Sequence, residues 1–168
     1  MNIIDKALQF ATEKHEGQVR KVSGEKYITH PIFVAELCRK YKTSKNLDSL
    51  IVSCLLHDVV EDCGVTIDEI RSTFGDLTAN IVDELTTDVE QVKVLGKTTY
   101  LAIKMVNMSS YGLTLKLLDR LSNVMDNPTE SYKKSTIDII QYVKNVRGLN
   151  KTQTAIALDI ILECIWGS

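Results

Sequence analysis

Leu55-Leu56-His57-Asp58-Val59-Val60-Glu61-Asp62 places four ionisable residues within six positions at the end of a strongly apolar segment. The pattern predicts a central helix from Asn46 to Asp62. At helical spacing, with His57 as zero, Asp58 falls at about 100°, Glu61 at about 40° and Asp62 at about 140°. Leu47, Leu50, Ile51, Cys54 and Leu55 fall on the same broad face, so the charged quartet continues a core stripe. Charges withdrawn from water persist only when paired, hydrogen-bonded or bound to a metal. An imidazole next to a carboxylate suits a divalent cation, with Glu61 and Asp62 one turn on for proton transfer. The competing account is a helix end emerging into solvent, with His57 packing or capping and the acids hydrated.

Outward from this stretch the chain reads as helices joined by short loops, with no convincing strand and few aromatic residues. Ile4, Leu8, Ala11 and His15 mark a first helix ended by Gly17. Residues 17–31 form a long polar loop, and Pro31 is placed to open a helix over Ile32–Tyr41. Long irregular loops in small domains are often functional. Arg20, Lys21 and Lys26 can hold phosphate oxygens there, although on spacing alone a solvated basic loop is the simpler account. A histidine held at a helix start by the next proline, as His30 is, points in a defined direction.

Beyond the central stretch, Thr66 to Glu69 is a capping box for a short helix ending near Phe74. Leu77, Ile81 and Leu85 mark the next helix, closed by Thr86-Thr87-Asp88. Val89 to Gly96 shows no clear period and is expected to be a mobile connector. Lys97 to Val106 is helical again, with Tyr111-Gly112 as punctuation before a helix that carries Asp119 and Asn123 on one face. Pro128 ends that helix, and Ser131–Val146 and Thr152–Trp166 follow. The last is apolar nearly all round, which predicts deep packing or a subunit contact in a homo-oligomer.

The 168 residues suffice for one well-buried domain, expected to span 1–168. A net charge of −2 without a basic run predicts neither a nucleic-acid nor a membrane partner. Four scattered cysteines without a Cys-x-x-Cys pair, and the lack of a signal-peptide pattern, predict a reduced, cytoplasmic protein. No apolar run approaches membrane-spanning length.

The order His30, His57-Asp58, Asp119 is similar to the metal-binding pattern of the HD phosphohydrolase superfamily. Gly17-Gln18-Val19-Arg20-Lys21, Ser23-Gly24-Glu25, Tyr27-Ile28-Thr29-His30-Pro31, the central stretch, Phe74-Gly75 and Asp119-Arg120-Leu121-Ser122-Asn123 together resemble the hydrolase domain of the RelA/SpoT-homologue family. The resemblance runs from about Ala7 to Tyr142. It implies an all-α HD-domain bundle of about eight to nine helices that removes the 3′-pyrophosphate from guanosine tetra- and pentaphosphate. It further implies that His30, His57, Asp58 and Asp119 bind one Mn²⁺, that Glu61 and Asp62 orient and deprotonate the attacking water, and that Arg20, Lys21 and Asn123 contact the nucleotide. The chain departs from the pattern in an extra Val22 and in Leu118, Ser122 and Cys63, where the family usually has Ala, His or Tyr, and Thr. It has no room for the synthetase and regulatory domains of the family's long enzymes, so the expectation is a stand-alone small alarmone hydrolase. The alternatives are an HD enzyme acting on another nucleotide, of the 5′-nucleotidase or NADPH phosphatase type, and a catalytically silent partner of an alarmone synthetase.

Overall fold

A computed structural model describes residues 1–167. They form eleven helices and, among the described residues, no strand beyond one isolated bridge between Val19 and Lys26. Nine of the helices run eight residues or more, which agrees with the all-α expectation. The chain falls into two compact units, Met1–Thr86 and the part from Thr87 onward.

The first unit holds α1 (Ile3–Lys14), α2 (Thr29–Tyr41), α3 (Leu47–Leu56), α4 (Val59–Cys63), α5 (Ile67–Phe74) and α6 (Asp76–Leu85). Every residue of α3 from Leu50 to Leu56 is buried, because this helix is apolar all round and packs against α1, α2 and α6. Its one polar residue in that run, Ser53, satisfies its hydroxyl inside the helix by donating to the Ser49 carbonyl at 2.7 Å. The helix α2 begins at Thr29, earlier than its proline suggests. Pro31 lies in the first turn, where a missing N–H is no loss. The Thr66 hydroxyl accepts from the Glu69 amide as expected, and Gly75, at φ +91°, separates α5 from α6.

The expected single helix over 46–62 is two helices. His57 and Asp58 form a turn between α3 and α4, and Asp58 has φ −105° and ψ −6°. The His57 ring takes up the Cys54 carbonyl, which an uninterrupted helix would offer to the Asp58 amide. The break cancels the angular relation beyond Asp58. His57 is buried and Asp58 half-buried, but Glu61 and Asp62 are exposed and do not continue the core stripe.

The second unit holds α7 (Val89–Leu95), α8 (Lys97–Asn107), α9 (Ser110–Val124), α10 (Glu130–Val146) and α11 (Lys151–Trp166). Its centre is α9, packed against α8, α10 and α11. The side chains of Ser109, Thr129 and Asn150 cap α9, α10 and α11 by accepting a backbone amide three residues on. Arg147 Nη1 donates to the Met105, Val106 and Met108 carbonyls at 3.2, 3.1 and 2.6 Å, closing the end of α8.

Residues 89–95 are helical, against the expected mobile connector. Asp88 caps this helix by accepting from the Gln91 amide, and none of its residues is buried, so it carries no core stripe to be read. Tyr111 and Gly112 lie inside the first turn of α9 and do not precede it. The helix α11 buries Ile156, Ile160 and Cys164 but exposes Leu158, Leu162, Ile165 and Trp166, so only one side of it packs deep. All four cysteines are free thiols, and no described helix is long and apolar enough to cross a membrane.

Candidate metal centre

Three of the expected ligands meet within the first unit. His30 is the second residue of α2, His57 ends α3 and Asp58 precedes α4. The two imidazoles are about 95% buried and stand edge to face, with ring centroids 5.2 Å apart. Asp58 Oδ2 lies 2.9 Å from His57 Nε2 and 3.8 Å from His30 Nε2. Asp58 sits at the start of α4 without capping its amides, which leaves its carboxylate for this cluster.

The hydrogen bonds of His57 define its chemistry. Its Nδ1 is 2.6 Å from the Cys54 carbonyl oxygen, which can only accept, so Nδ1 carries the proton and donates. In a neutral ring, Nε2 then presents a lone pair to a carboxylate oxygen at 2.9 Å. Two electron-rich atoms at that distance share a cation, either a proton on Nε2 or a metal ion beside both. A backbone carbonyl fixing the far nitrogen is also the arrangement that orients a metal-bound histidine. Two imidazoles and a carboxylate form a donor set suited to a borderline divalent metal.

The polar loop is a short hairpin. The Arg20 amide donates to the Glu25 carbonyl at 2.8 Å, the Tyr27 amide to the Gln18 carbonyl at 2.9 Å, and Gly24, at φ +71°, donates to the Arg20 carbonyl at 2.9 Å. Lys21, Val22 and Ser23 make the exposed turn, so the extra Val22 is absorbed at the tip. The hairpin separates the two basic residues. Arg20 is half-buried, its guanidinium 5.9 Å from the Tyr27 ring centre, whereas Lys21 is exposed in the turn.

Tyr27 is the residue that sequence reasoning missed. Its hydroxyl donates to Asp58 Oδ2 at 2.7 Å. Its sequence signal was its place at the head of Tyr27-Ile28-Thr29-His30-Pro31, a stretch that carries the resemblance but gave Tyr27 no role. Asp62, exposed on α4, has its carboxyl pushed up by partial desolvation and then by the like charges of Asp58 and Glu61. Cys63, one of the departures, places its thiol 3.4 Å from His15 Nδ1.

In the second unit, α9 carries Asp119 and Asn123 on one face as expected, with Asn123 Nδ2 donating to Asp119 Oδ1 at 3.2 Å. Asp119 is 7% exposed. Lys116, one turn earlier, donates to Asp119 Oδ2 at 2.9 Å, an i,i+3 pair that charge spacing alone could have found. Leu118 and Ser122 are buried in the packing of the same helix. Arg120 is buried as well, 4.4 Å from the Tyr132 ring centre and donating to Thr136 Oγ1 at 2.6 Å, so α9 is pinned to α10 next to Asp119.

An all-α chain with a histidine–aspartate cluster at a helix break is an HD-type protein. The chain belongs to the HD-domain family, whose model matches residues 7–106, and within that family it groups with the hydrolase domains of the RelA/SpoT homologues. It is similar to guanosine-3′,5′-bis(diphosphate) 3′-pyrophosphohydrolase MESH1 of Xenopus tropicalis, with 34% identity over 161 residues covering 88% of this chain and 87% of that protein. A solved structure described as "A metazoan ortholog of SpoT hydrolyzes ppGpp and plays a role in starvation responses" matches with TM-score 0.78 and 26% identity, over 100% of this chain and 98% of the other. Longer relatives include a probable GTP pyrophosphokinase of Mycobacterium leprae, 33% identical over 129 residues and 74% of this chain. The chain spans about one sixth of the length of such relatives.

Proposed function

We propose that this chain is a divalent-metal-dependent hydrolase that removes the 3′-pyrophosphate from guanosine tetra- and pentaphosphate, leaving GDP or GTP, with Mn²⁺ as its metal and residues 1–168 acting as one catalytic domain. The observation that carries the proposal is the convergence of both imidazoles on Asp58 Oδ2, with His57 Nδ1 committed to the Cys54 carbonyl. The activity named for the relatives and the match in ordered sequence words support the substrate class.

His30, His57 and Asp58 would hold the ion, and Asp119 completes the set in this proposal. A bound divalent ion supplies Lewis-acid polarisation of a phosphoryl oxygen and makes water more acidic. Glu61 and Asp62 orient the attacking water and take its proton. Water adds at the phosphorus attached to the 3′ oxygen, and that oxygen leaves and is reprotonated. Arg20 and Lys21 offset phosphate charge that one cation does not neutralise, and Arg20 can lay its planar group on a purine. The Asn123 amide contacts the nucleotide.

The test is a panel of nucleotides offered to purified protein with Mn²⁺, with products identified by chromatography. Release of pyrophosphate from guanosine tetraphosphate is expected. Turnover confined to nucleoside 5′-monophosphates or to NADPH would replace the substrate class. Metal-free protein without turnover of any nucleotide would make the chain a binding domain.

A further inference from the structure

We infer that Tyr27 is a positioning residue for the metal centre: its hydroxyl orients the Asp58 carboxylate, and its ring carries Arg20, so that one side chain joins the ligand cluster to the hairpin. The inference rests on the proposed metal site and adds to it a residue with no role in the sequence pattern. Asp58 Oδ2 is the oxygen on which both imidazole nitrogens converge, and the same oxygen accepts the Tyr27 hydroxyl at 2.7 Å. A carboxylate that turned about its Cα–Cβ–Cγ bonds would leave the histidines. The phenol proton, donated to one named oxygen, opposes that rotation in the metal-free and loaded protein alike.

The phenol itself is held from several sides. Its backbone amide is fixed to the Gln18 carbonyl at 2.9 Å. One neighbour of the ring is His15, with centroids 4.8 Å apart. His15 is 3% exposed and is itself held, its Nδ1 2.8 Å from Gln18 Oε1. The ring meets His30 edge to face at 5.9 Å, and the Arg20 guanidinium lies 5.9 Å from the ring centre. Tyr27 therefore joins a proposed ligand to a proposed substrate cation through one rigid ring, and a hairpin displaced by an absent ring would lose the register of both.

Two substitutions separate the hydroxyl from the ring. Tyr27→Phe keeps the ring contacts and deletes the donor. Titration calorimetry with Mn²⁺ should give a dissociation constant about 10- to 100-fold weaker than the parent's, the usual consequence of losing an outer hydrogen bond to a ligand. At saturating Mn²⁺ its KM for guanosine tetraphosphate should stay at the parent value. Tyr27→Leu removes the ring too and should raise KM in addition. A role in packing alone would lower thermal stability without this split. In the parent itself, the ¹³Cζ resonance of Tyr27 should move when diamagnetic Zn²⁺ is added, a readout that needs no variant. Parent-like Mn²⁺ affinity in Tyr27→Phe, or an unmoved Tyr27 resonance on metal binding, overturns the role of Tyr27 while leaving the metal site standing. A parent that binds neither ion overturns the site and this inference together.

Discussion

His57 uses opposite edges of one ring: Nδ1 donates to its own helix at Cys54, and Nε2 faces Asp58. Truncating it removes a proposed ligand and the group that occupies the helix break. His57→Ala protein should therefore come through purification without bound metal, as read by elemental analysis. Glu61 lies outside this cluster, exposed on α4, so Glu61→Gln should keep full metal content and lose about 10²- to 10⁴-fold in turnover, since an amide cannot accept the proton. Near-parent turnover in Glu61→Gln would pass the base role to Asp62. The two basic residues of the hairpin differ in setting, and their variants should differ too. Arg20→Ala loses a side chain resting on Tyr27 and should raise KM at any ionic strength, whereas Lys21→Ala loses an exposed charge whose effect should fade as salt is added. Steady-state kinetics at low and high salt, with metal content measured alongside, check both. Equal KM values for the two variants and the parent would take the hairpin out of substrate binding.

At the scale of elements, the helix break is the feature that builds the site. Ending α3 at Leu56 and restarting at Val59 brings a backbone carbonyl, a ring and a carboxylate together in a two-residue turn. The helix α7 depends on a different local device. Asp88 accepts the Gln91 amide at 3.1 Å and the Gln91 side-chain amide at 2.9 Å. The Gln91 backbone N–H, then its side chain, the Glu90 amide and Lys104 hold the Asp88 carboxyl below its ordinary value. A carboxylate with a lowered pKa in the folded state contributes stability above its unfolded pKa and loses it as pH falls through the folded value. The helical Cα shifts of α7 should accordingly fade on acidification through that range. Asp88→Asn should keep the cap, because asparagine is as good an N-cap, and remove the acid dependence. The same acid response in both proteins would mean that Asp88 does not hold this helix.

For the molecule as a whole, the proposed metal site links binding to folding, because the unfolded chain does not hold the ligand geometry. If the site takes Mn²⁺ as proposed, free Mn²⁺ at about 100 times its dissociation constant would stabilise the native state by about 2.7 kcal/mol. In a chain of this size that corresponds to a rise in Tm of about 5–10 °C. Thermal unfolding in Mn²⁺ and in chelator should show the rise in the parent and none in His57→Ala. An equal rise in both would place the stabilising ion elsewhere.

Sequence alone determined the helical class, most helix boundaries and the caps at Thr66 and Gly75, and it singled out the His57-Asp58 pair while reading it inside one continuous helix. Apolar periodicity and capping residues act within one or two turns, and a reader of the chain sees them directly. It also placed Asp119 and Asn123 on one face of one helix, for the same reason. Tertiary structure alone decided that the central stretch breaks, because a ring competing for a helical carbonyl is not a periodic signal, and Glu61 and Asp62 left the core stripe as a result. It decided that 89–95 is helical, since a helix with no buried face leaves no apolar pattern. It also decided the part of Tyr27, whose hydroxyl meets a carboxylate 31 positions away in the chain. A contact across that separation is set by how α2, α3 and the hairpin fold back on one another, and no local spacing encodes it.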